Sequence, residues 1–200
     1  MRVFILLRHA RTSNNAEARL QGQVDPPLDD VGIAQAQRAG AYVRSRWQID
    51  AVVSSAMERT KQTLEYGGFS GYETVTDHRW SEIDFGTYDQ RRIGEVVTKL
   101  SARWRSDLDY QPEGGESLSA MHERVVEACV ELAPRAADEN ILVVTHAMPI
   151  KSAAVWALGG SASMILNMWV NLSTVSVLAQ VRGEFILAEY NTPSDHSGGL

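Results

Sequence analysis

The chain has a single cysteine, Cys129, among its 200 residues. One cysteine excludes an intrachain disulfide and a cysteine-based zinc site. It falls in an apolar helical pattern with Val125, Val126, Ala128, Leu132 and Ala133, which reads as an inert core thiol. Positive charge is also scarce. Nineteen Lys and Arg stand against 25 Asp and Glu, a formal net charge of −6. Neither nucleic acid nor an anionic membrane is an expected partner on that balance, so any anion site must be a local positive pocket. No apolar run approaches the roughly 20 residues of a membrane span. Met1 leads straight into a strand-like run, with no long apolar stretch and cleavage site. The cytoplasm is therefore the expected compartment. No internal repeat and no linker is visible, so residues 1–200 are expected to form one domain, with a mobile polar tail from Thr192.

What is present is the make-up of an ordinary globular protein, 44% hydrophobic and 22% charged, long enough for a sizeable core. Val3-Phe4-Ile5-Leu6-Leu7 reads as a buried central strand. It stops at a polar tip, Arg8-His9-Ala10-Arg11-Thr12-Ser13-Asn14-Asn15. Open α/β sheets bind ligands at the carboxyl ends of their strands. Two arginines and a histidine there suit a phosphate site with a nucleophile or base; the alternative is a solvated basic turn.

Ala16 to Leu28 is polar, contains Arg19, Gln21 and Gln23, and ends in Asp25-Pro26-Pro27-Leu28, so it reads as a loop. Asp29 or Asp30 caps a helix over Val31 to Trp47, where Gly40 allows close packing. Asp50 to Ser55 is a second strand with a polar end. A helix runs from Met57 to Tyr66, with Arg59 near its start. An arginine there is electrostatically unfavourable. Either a bound anion explains it, or it pairs with Glu58 or Glu65. Tyr72 to Thr76 is a third strand candidate. His78 to Tyr88 mixes acids and aromatics without period and suits an irregular active-site wall.

Ile93 to Trp104 is expected to be helical and Leu108 to Gly115 a loop. Ser117 caps a helix to about Ala133. Ile141-Leu142-Val143-Val144 is the strongest parallel-strand pattern, ending at Thr145-His146-Ala147, with a helix to about Leu158. Two histidines, His9 and His146, thus occupy the same context at the tips of buried strands. Thr174 to Val181 and Phe185 to Tyr190 form a hairpin through Arg182-Gly183-Glu184, closing an edge of the sheet.

Taken together, these segments give a sequence that resembles the histidine phosphatase superfamily, which includes the cofactor-dependent phosphoglycerate mutases. The family's Arg-His-Gly-Glu-Thr-x-x-Asn is matched by Arg8 to Asn15, and its Gln-Gly by Gln21-Gly22. Its Pro-Leu-x-x-x-Gly is matched by Pro27 to Gly32, and its Ser-Ser-x-x-x-Arg-x-x-x-Thr by Ser54 to Thr63. Glu82-Ile83-Asp84-Phe85-Gly86-Thr87-Tyr88, Gly115-Glu116-Ser117 and Thr145-His146-Ala147 match the remaining elements, in order.

The resemblance implies a three-layer α/β/α sandwich around a mostly parallel sheet, phosphoglycerate mutase-like. It implies a metal-independent phosphatase without cofactor, acting on a small phosphorylated metabolite. His9 would become phosphohistidine. Arg8 and Arg59 would hold the phosphoryl oxygens, with His146 as an imidazolium donor to them. Asn15, Gln21 and Gly22 would add substrate contacts. Glu82 would be the general acid and base, with Asp84 as the fallback. The compact span from Glu82 to His146 resembles the phosphatase branch; a bisphosphoglycerate-dependent mutase and a non-catalytic phospholigand-binding module are the alternatives.

Three positions depart from the family pattern. Ala10 and Ala147 replace glycines and add a methyl group beside the phosphate. Arg11 replaces a glutamate, and either contacts an acidic substrate group or is a surface charge. Trp80, Phe85, Tyr88 and Trp104 line the leaving-group side or belong to the core, the core being favoured for Phe85. Met164, Ile165, Leu166, Met168 and Trp169 are core or the surface of a homodimer.

Overall fold

The computed structural model describes residues 2–194. Six strands form one sheet: β1 (Val3–Arg8), β2 (Ala51–Ser54), β3 (Thr74–Thr76), β4 (Ile141–Thr145), β5 (Thr174–Val181) and β6 (Glu184–Pro193). Their order across the sheet is β3-β2-β4-β1-β5-β6. The first four strands in that order are mutually parallel. β5 runs antiparallel to β1, and β6 antiparallel to β5.

Among the described residues six α-helices accompany the sheet: α1 (Ser13–Ala16), α2 (Asp30–Arg46), α3 (Glu58–Tyr66), α4 (Ile93–Ser106), α5 (Leu118–Leu132) and α6 (Ala147–Ala157). Side chains alternate across a strand, and here both faces are covered. Ile5, Leu7, Val52 and Val144 pack with Ala39 and Val43 of α2 and Leu64 of α3. Phe4, Leu6, Ile141 and Val143 pack with Leu100 and Trp104 of α4, Val125 of α5 and Ile150 of α6. That double burial explains why β1 and β4 are nearly continuous apolar runs. The result is the expected α/β/α sandwich. No helix among the described residues is long and apolar enough to cross a membrane.

Local signals set the ends. The Asp29 carboxylate accepts from the Gly32 N–H at the start of α2, and Ser117 accepts from the Ala120 N–H at the start of α5. Gly40 of α2 meets α3's end so closely that a Cβ would come within 2.0 Å of the Gly67 carbonyl oxygen. Cys129 is fully buried, and burial raises its thiol pKa, so it stays an inert core thiol.

Several boundaries differ from expectation. The segment after β1 is not all loop: Thr12 and Asn15 form a reciprocal capping box that starts α1. β3 begins only at Thr74 and is exposed throughout, because it is an edge strand with one neighbour. The hairpin turn is two residues, Arg182 and Gly183, both at positive φ (54° and 87°), the geometry that matches strand twist. β6 extends through Pro193, so Thr192 is ladder rather than tail. Residues 195–200 of the expected tail lie outside the described residues. The 164–169 patch is divided, with Ile165 fully buried while Met164 and Trp169 are exposed.

Candidate active site

The β1–β4 register builds the centre. Arg8 is paired with Thr145, and the His9 N–H donates to the Thr145 carbonyl at 2.9 Å. The residue after each pairing partner is a histidine. Their rings therefore meet, with centroids 5.1 Å apart.

His9 is 3% exposed. Its Nδ1 lies 2.8 Å from the Ala10 carbonyl oxygen. A carbonyl only accepts, so Nδ1 carries the proton and Nε2 keeps its lone pair. Burial, then the Arg59 and Arg8 charges, hold the ring well below the ordinary histidine pKa. His9 is thus neutral, in the tautomer a nucleophilic Nε2 requires.

His146 is held differently. Arg59 Nε donates to its Nδ1 at 3.2 Å, so its proton is on Nε2, 2.7 Å from Ser55 Oγ. Burial, Arg59 and His9 push its pKa well below the ordinary value. The expected imidazolium is therefore not what the protein's own groups favour. The guanidinium beside it already supplies the positive charge, and a second one would be repelled.

Arg59 is 0% exposed. It donates to the Val24 carbonyl at 3.0 Å and to Asp25 Oδ1 at 3.1 Å from Nη1, and to the Gly22 carbonyl at 2.9 Å from Nη2. Among the described residues its acid partner is neither Glu58 nor Glu65 but Asp25, which also accepts from the Glu58 and Arg59 N–H groups opening α3. Arg8 donates from Nη1 to the Val170 carbonyl at 2.6 Å, and its buried Nε has no partner among the described residues. Burial, opposed by Glu82, pushes its pKa down to about 10, so it remains a cation at neutral pH.

Glu82 is 5% exposed. Its Oε1 accepts from the Ile83 and Met148 N–H groups, each at 3.1 Å. Burial raises its pKa against the opposing Arg8 charge. Asp84 instead accepts from the Gly86 N–H and ties down its own turn. It lies outside the cavity lining, whereas Glu82 is part of it.

A cavity of about 260 Å³ opens over this centre, lined by Arg8, His9, Asn15, Gln21 and Glu82 among others. Arg59 and His146 are outside that lining. Asn15 gives its amide oxygen to the Thr12 N–H and Oγ. Gln21, with its amide oxygen toward Arg59, accepts from Nε at 3.1 Å and Nη1 at 3.2 Å, while its nitrogen reaches Thr12 Oγ. Gly22 does not line the cavity. Its carbonyl receives Arg59, and a Cβ there would lie 2.7 Å from the Ile83 carbonyl oxygen, so glycine serves close approach of the backbone.

The family model for the histidine phosphatase superfamily (branch 1) matches residues 4–193. The chain belongs to the histidine phosphatase superfamily. A relative from Salmonella choleraesuis named "Probable phosphoglycerate mutase GpmB" is 35% identical over 172 residues, covering 82% of this chain and 74% of the relative. "Phosphoserine phosphatase 1" of Hydrogenobacter thermophilus is 29% identical over 192 residues, 94% of this chain and 90% of that protein. The chain spans about half the length, 49%, of the first curated relatives it matches, mycobacterial proteins 29% identical over 177 residues. The solved structure of the alpha-ribazole phosphatase from Shigella flexneri superposes with a TM-score of 0.82 at 21% identity, covering 96% of each chain, and shows the shared fold.

Against the family pattern, three departures and several unforeseen residues become interpretable. Neither Ala10 nor Ala147 has positive φ, so their methyl groups impose no backbone strain. Ala147 is simply the first residue of α6. Arg11 follows the second alternative: it lies outside the cavity lining, a partly exposed charge whose Nε is bonded to both oxygens of Asp29 at 3.2 and 2.9 Å, at the cap of α2. Trp80 is fully buried in the core, whereas Phe85 and Trp104 are both core and cavity wall.

The supporting carboxylates do not announce their roles in the chain order. Asp89 accepts from the Gly22, Gln23 and Val24 N–H groups and so shapes the loop that receives Arg59. Glu116 holds Arg124 through two bonds of 2.7 Å. Arg124 in turn donates to the Arg79, Ser81 and Glu82 carbonyls, bracing the acidic segment. The Gly-Glu-Ser match points to Glu116 without revealing its role. Lys151, four residues into α6 from Ala147, lines the cavity with no acid partner among the described residues; nothing in its sequence context distinguishes it.

Proposed function

We propose that this protein hydrolyses a phosphomonoester through a phosphohistidine on His9. The observation that carries the reading is the state of His9: Nδ1 is tied to a carbonyl, the ring is neutral, and Nε2 is left as the nucleophile beside cationic Arg8. In the first step the Nε2 lone pair forms the N–P bond as the ester P–O bond breaks. Protonated Glu82 gives its proton to the departing alkoxide. In the second step Glu82, now a carboxylate, takes a proton from water. The water oxygen bonds to phosphorus, the N–P bond breaks, and phosphate leaves.

Charge on the equatorial oxygens is met by guanidinium groups, which match phosphate geometry. Arg8 offers its unpartnered Nε. Arg59 and His146 join by exchanging their mutual hydrogen bond for bonds to phosphoryl oxygen, and the dianion then opposes the downward pKa shift of His146. Asn15 adds its amide nitrogen. Gln21 and Gly22 act through Arg59 rather than on substrate. The test is phosphate release from a panel of phosphomonoesters, from about pH 5 to 8, by wild type and His9→Ala side by side. Release by wild type alone, with trapping of phosphate on His9 in alkaline denaturant, where the N–P bond survives, is expected. No release but interconversion of 2- and 3-phosphoglycerate with a bisphosphate primer would make it a mutase. Neither activity in folded protein would favour a phospholigand-binding module.

A further inference from the structure

We propose that the alcohol portion of the substrate is a bulky apolar group, aryl or medium-chain alkyl, seated between α4 and the 166–170 segment. This rests on the reading of His9 as the nucleophile. Beyond the chemical centre, the cavity wall is drawn from three separate elements and is overwhelmingly apolar. Phe85 comes from the acidic segment, Val97, Leu100 and Trp104 from α4, and Met168 and Trp169 from the segment before β5. Leu100 and Trp104 are almost fully buried and form a floor, while Val97 and Trp169 are 40% and 68% exposed. Trp169 is fixed by an Nε1–H bond to Asn171 Oδ1 at 2.8 Å. An indole held at a cavity lip, largely in water, costs solvation unless something apolar covers it.

A small polar ester would need convergent polar groups on the same wall, since unpaired hydroxyls and carboxylates lose their water on entry. The candidates are few. Trp104 spends its N–H on the Tyr110 carbonyl, and Arg19 is committed to Glu17 and the Gln90 carbonyl. Ser101 and Lys151 remain. A carboxylate-bearing ester such as phosphoserine or phosphoglycerate would have to rest on Lys151. The apolar wall and the ammonium therefore make opposite demands on the substrate, and the wall has six side chains to one.

Binding separates this inference from the catalytic reading. Calorimetry on the full chain would compare 1-naphthylmethylphosphonate with 3-phosphonopropionate, neither of which can be hydrolysed. The naphthyl ligand is expected to bind at least about tenfold more tightly, and Trp169→Ala to reduce that ratio by about tenfold, the scale of losing one aromatic contact surface. Val97→Asp, a second site on the wall, is expected to reduce it as well. Equal binding, preference for the carboxylate ligand, or no binding of either would overturn the proposal. So would a preference that survives both wall substitutions. Carboxylate preference abolished by Lys151→Met would assign the specificity to Lys151 instead. Phosphate release from 1-naphthyl phosphate by wild type but not His9→Ala tests the reading beneath it separately.

Discussion

The tips of β1 and β4 are near copies in sequence and opposite in state. Each is a buried strand ending in a histidine and then an alanine, and the two lie side by side in register. His9 spends one nitrogen on a backbone carbonyl and keeps the other. His146 spends both, one on Ser55 and one on Arg59. The difference comes from the element that each tip leads into. After β1 the chain turns into a loop and the one-turn α1, so the Ala10 carbonyl is free to accept from the ring. After β4 the chain enters α6 at once, and His146 is its N-cap. Its backbone carbonyl accepts the Ile150 N–H at 3.2 Å, and its ring is left to side chains. Identical context thus yields one imidazole with a free nitrogen and one that is a link in an arginine network.

That contrast is broken most severely by His9→Ala. Turnover is expected to fall on the order of a thousandfold or more, as for loss of a covalent nucleophile, with the thermal transition retained. Peptide mapping of wild type quenched in alkaline denaturant should place trapped phosphate at His9 and none at His146; label on His146 would invert the assignment. Glu82→Gln comes next. Loss of a general acid is expected to cost about 10² to 10⁴ toward alkyl esters, and much less toward p-nitrophenyl phosphate, whose leaving group needs no proton. In the proposed mechanism protonated Glu82 acts in the first step, and burial raises its pKa. kcat/KM for an alkyl ester should therefore fall as pH rises through that raised value, and Glu82→Gln should remove this alkaline limb. His9 must be neutral, and its pKa is lowered, so the acid limb lies below the ordinary histidine range. An acid limb at or above that range would contradict the neutral ring.

His146→Ala is expected to be milder, on the order of a hundredfold, the scale of removing one donor from a charge-stabilising site. Equal losses in the His9 and His146 variants, with equal retention of fold, would erase the distinction between the two tips. The smallest effect belongs to Asp25→Ala. It removes the acid partner of Arg59 and the acceptor for the first N–H groups of α3, which costs about 1–3 kcal/mol of stability. KM should rise more than kcat falls, because Arg59 is misplaced rather than lost. Asp25→Asn, which keeps an oxygen for the α3 N–H groups, should recover stability more than KM. Identical recovery of both would leave Asp25 a purely structural cap.

Much of this protein can be read along the chain. Continuous apolar runs in β1 and β4 require cover on both faces, and the helices between them supply it, so the layered α/β architecture is determined by hydrophobic patterning. The histidines His9 and His146 also stand out by their places at strand tips, and Arg8, Arg59 and Glu82 join them through the ordered resemblance to the family's motifs. What the chain does not say is who holds them. Asp25, Asp89 and Arg124 look like ordinary surface charges in sequence; their bonds run to residues 34 or more positions away in the cases of Asp25 to Arg59 and Asp89 to Gly22. Along its own helix Arg59 has glutamates in reach, yet its partners come from the Gly22–Asp25 loop. The state of each histidine is likewise invisible in the chain order. Periodicity reports which face of an element is buried, since that depends on neighbours a few residues apart. Protonation depends on which donors and acceptors the folded chain brings within hydrogen-bond reach. The sequence by itself determined the layers, the strand tips and the identities of the chemical groups. Only the tertiary structure, through the pairing of β1 with β4 and the loops packed around them, decided that one histidine is free and the other bound.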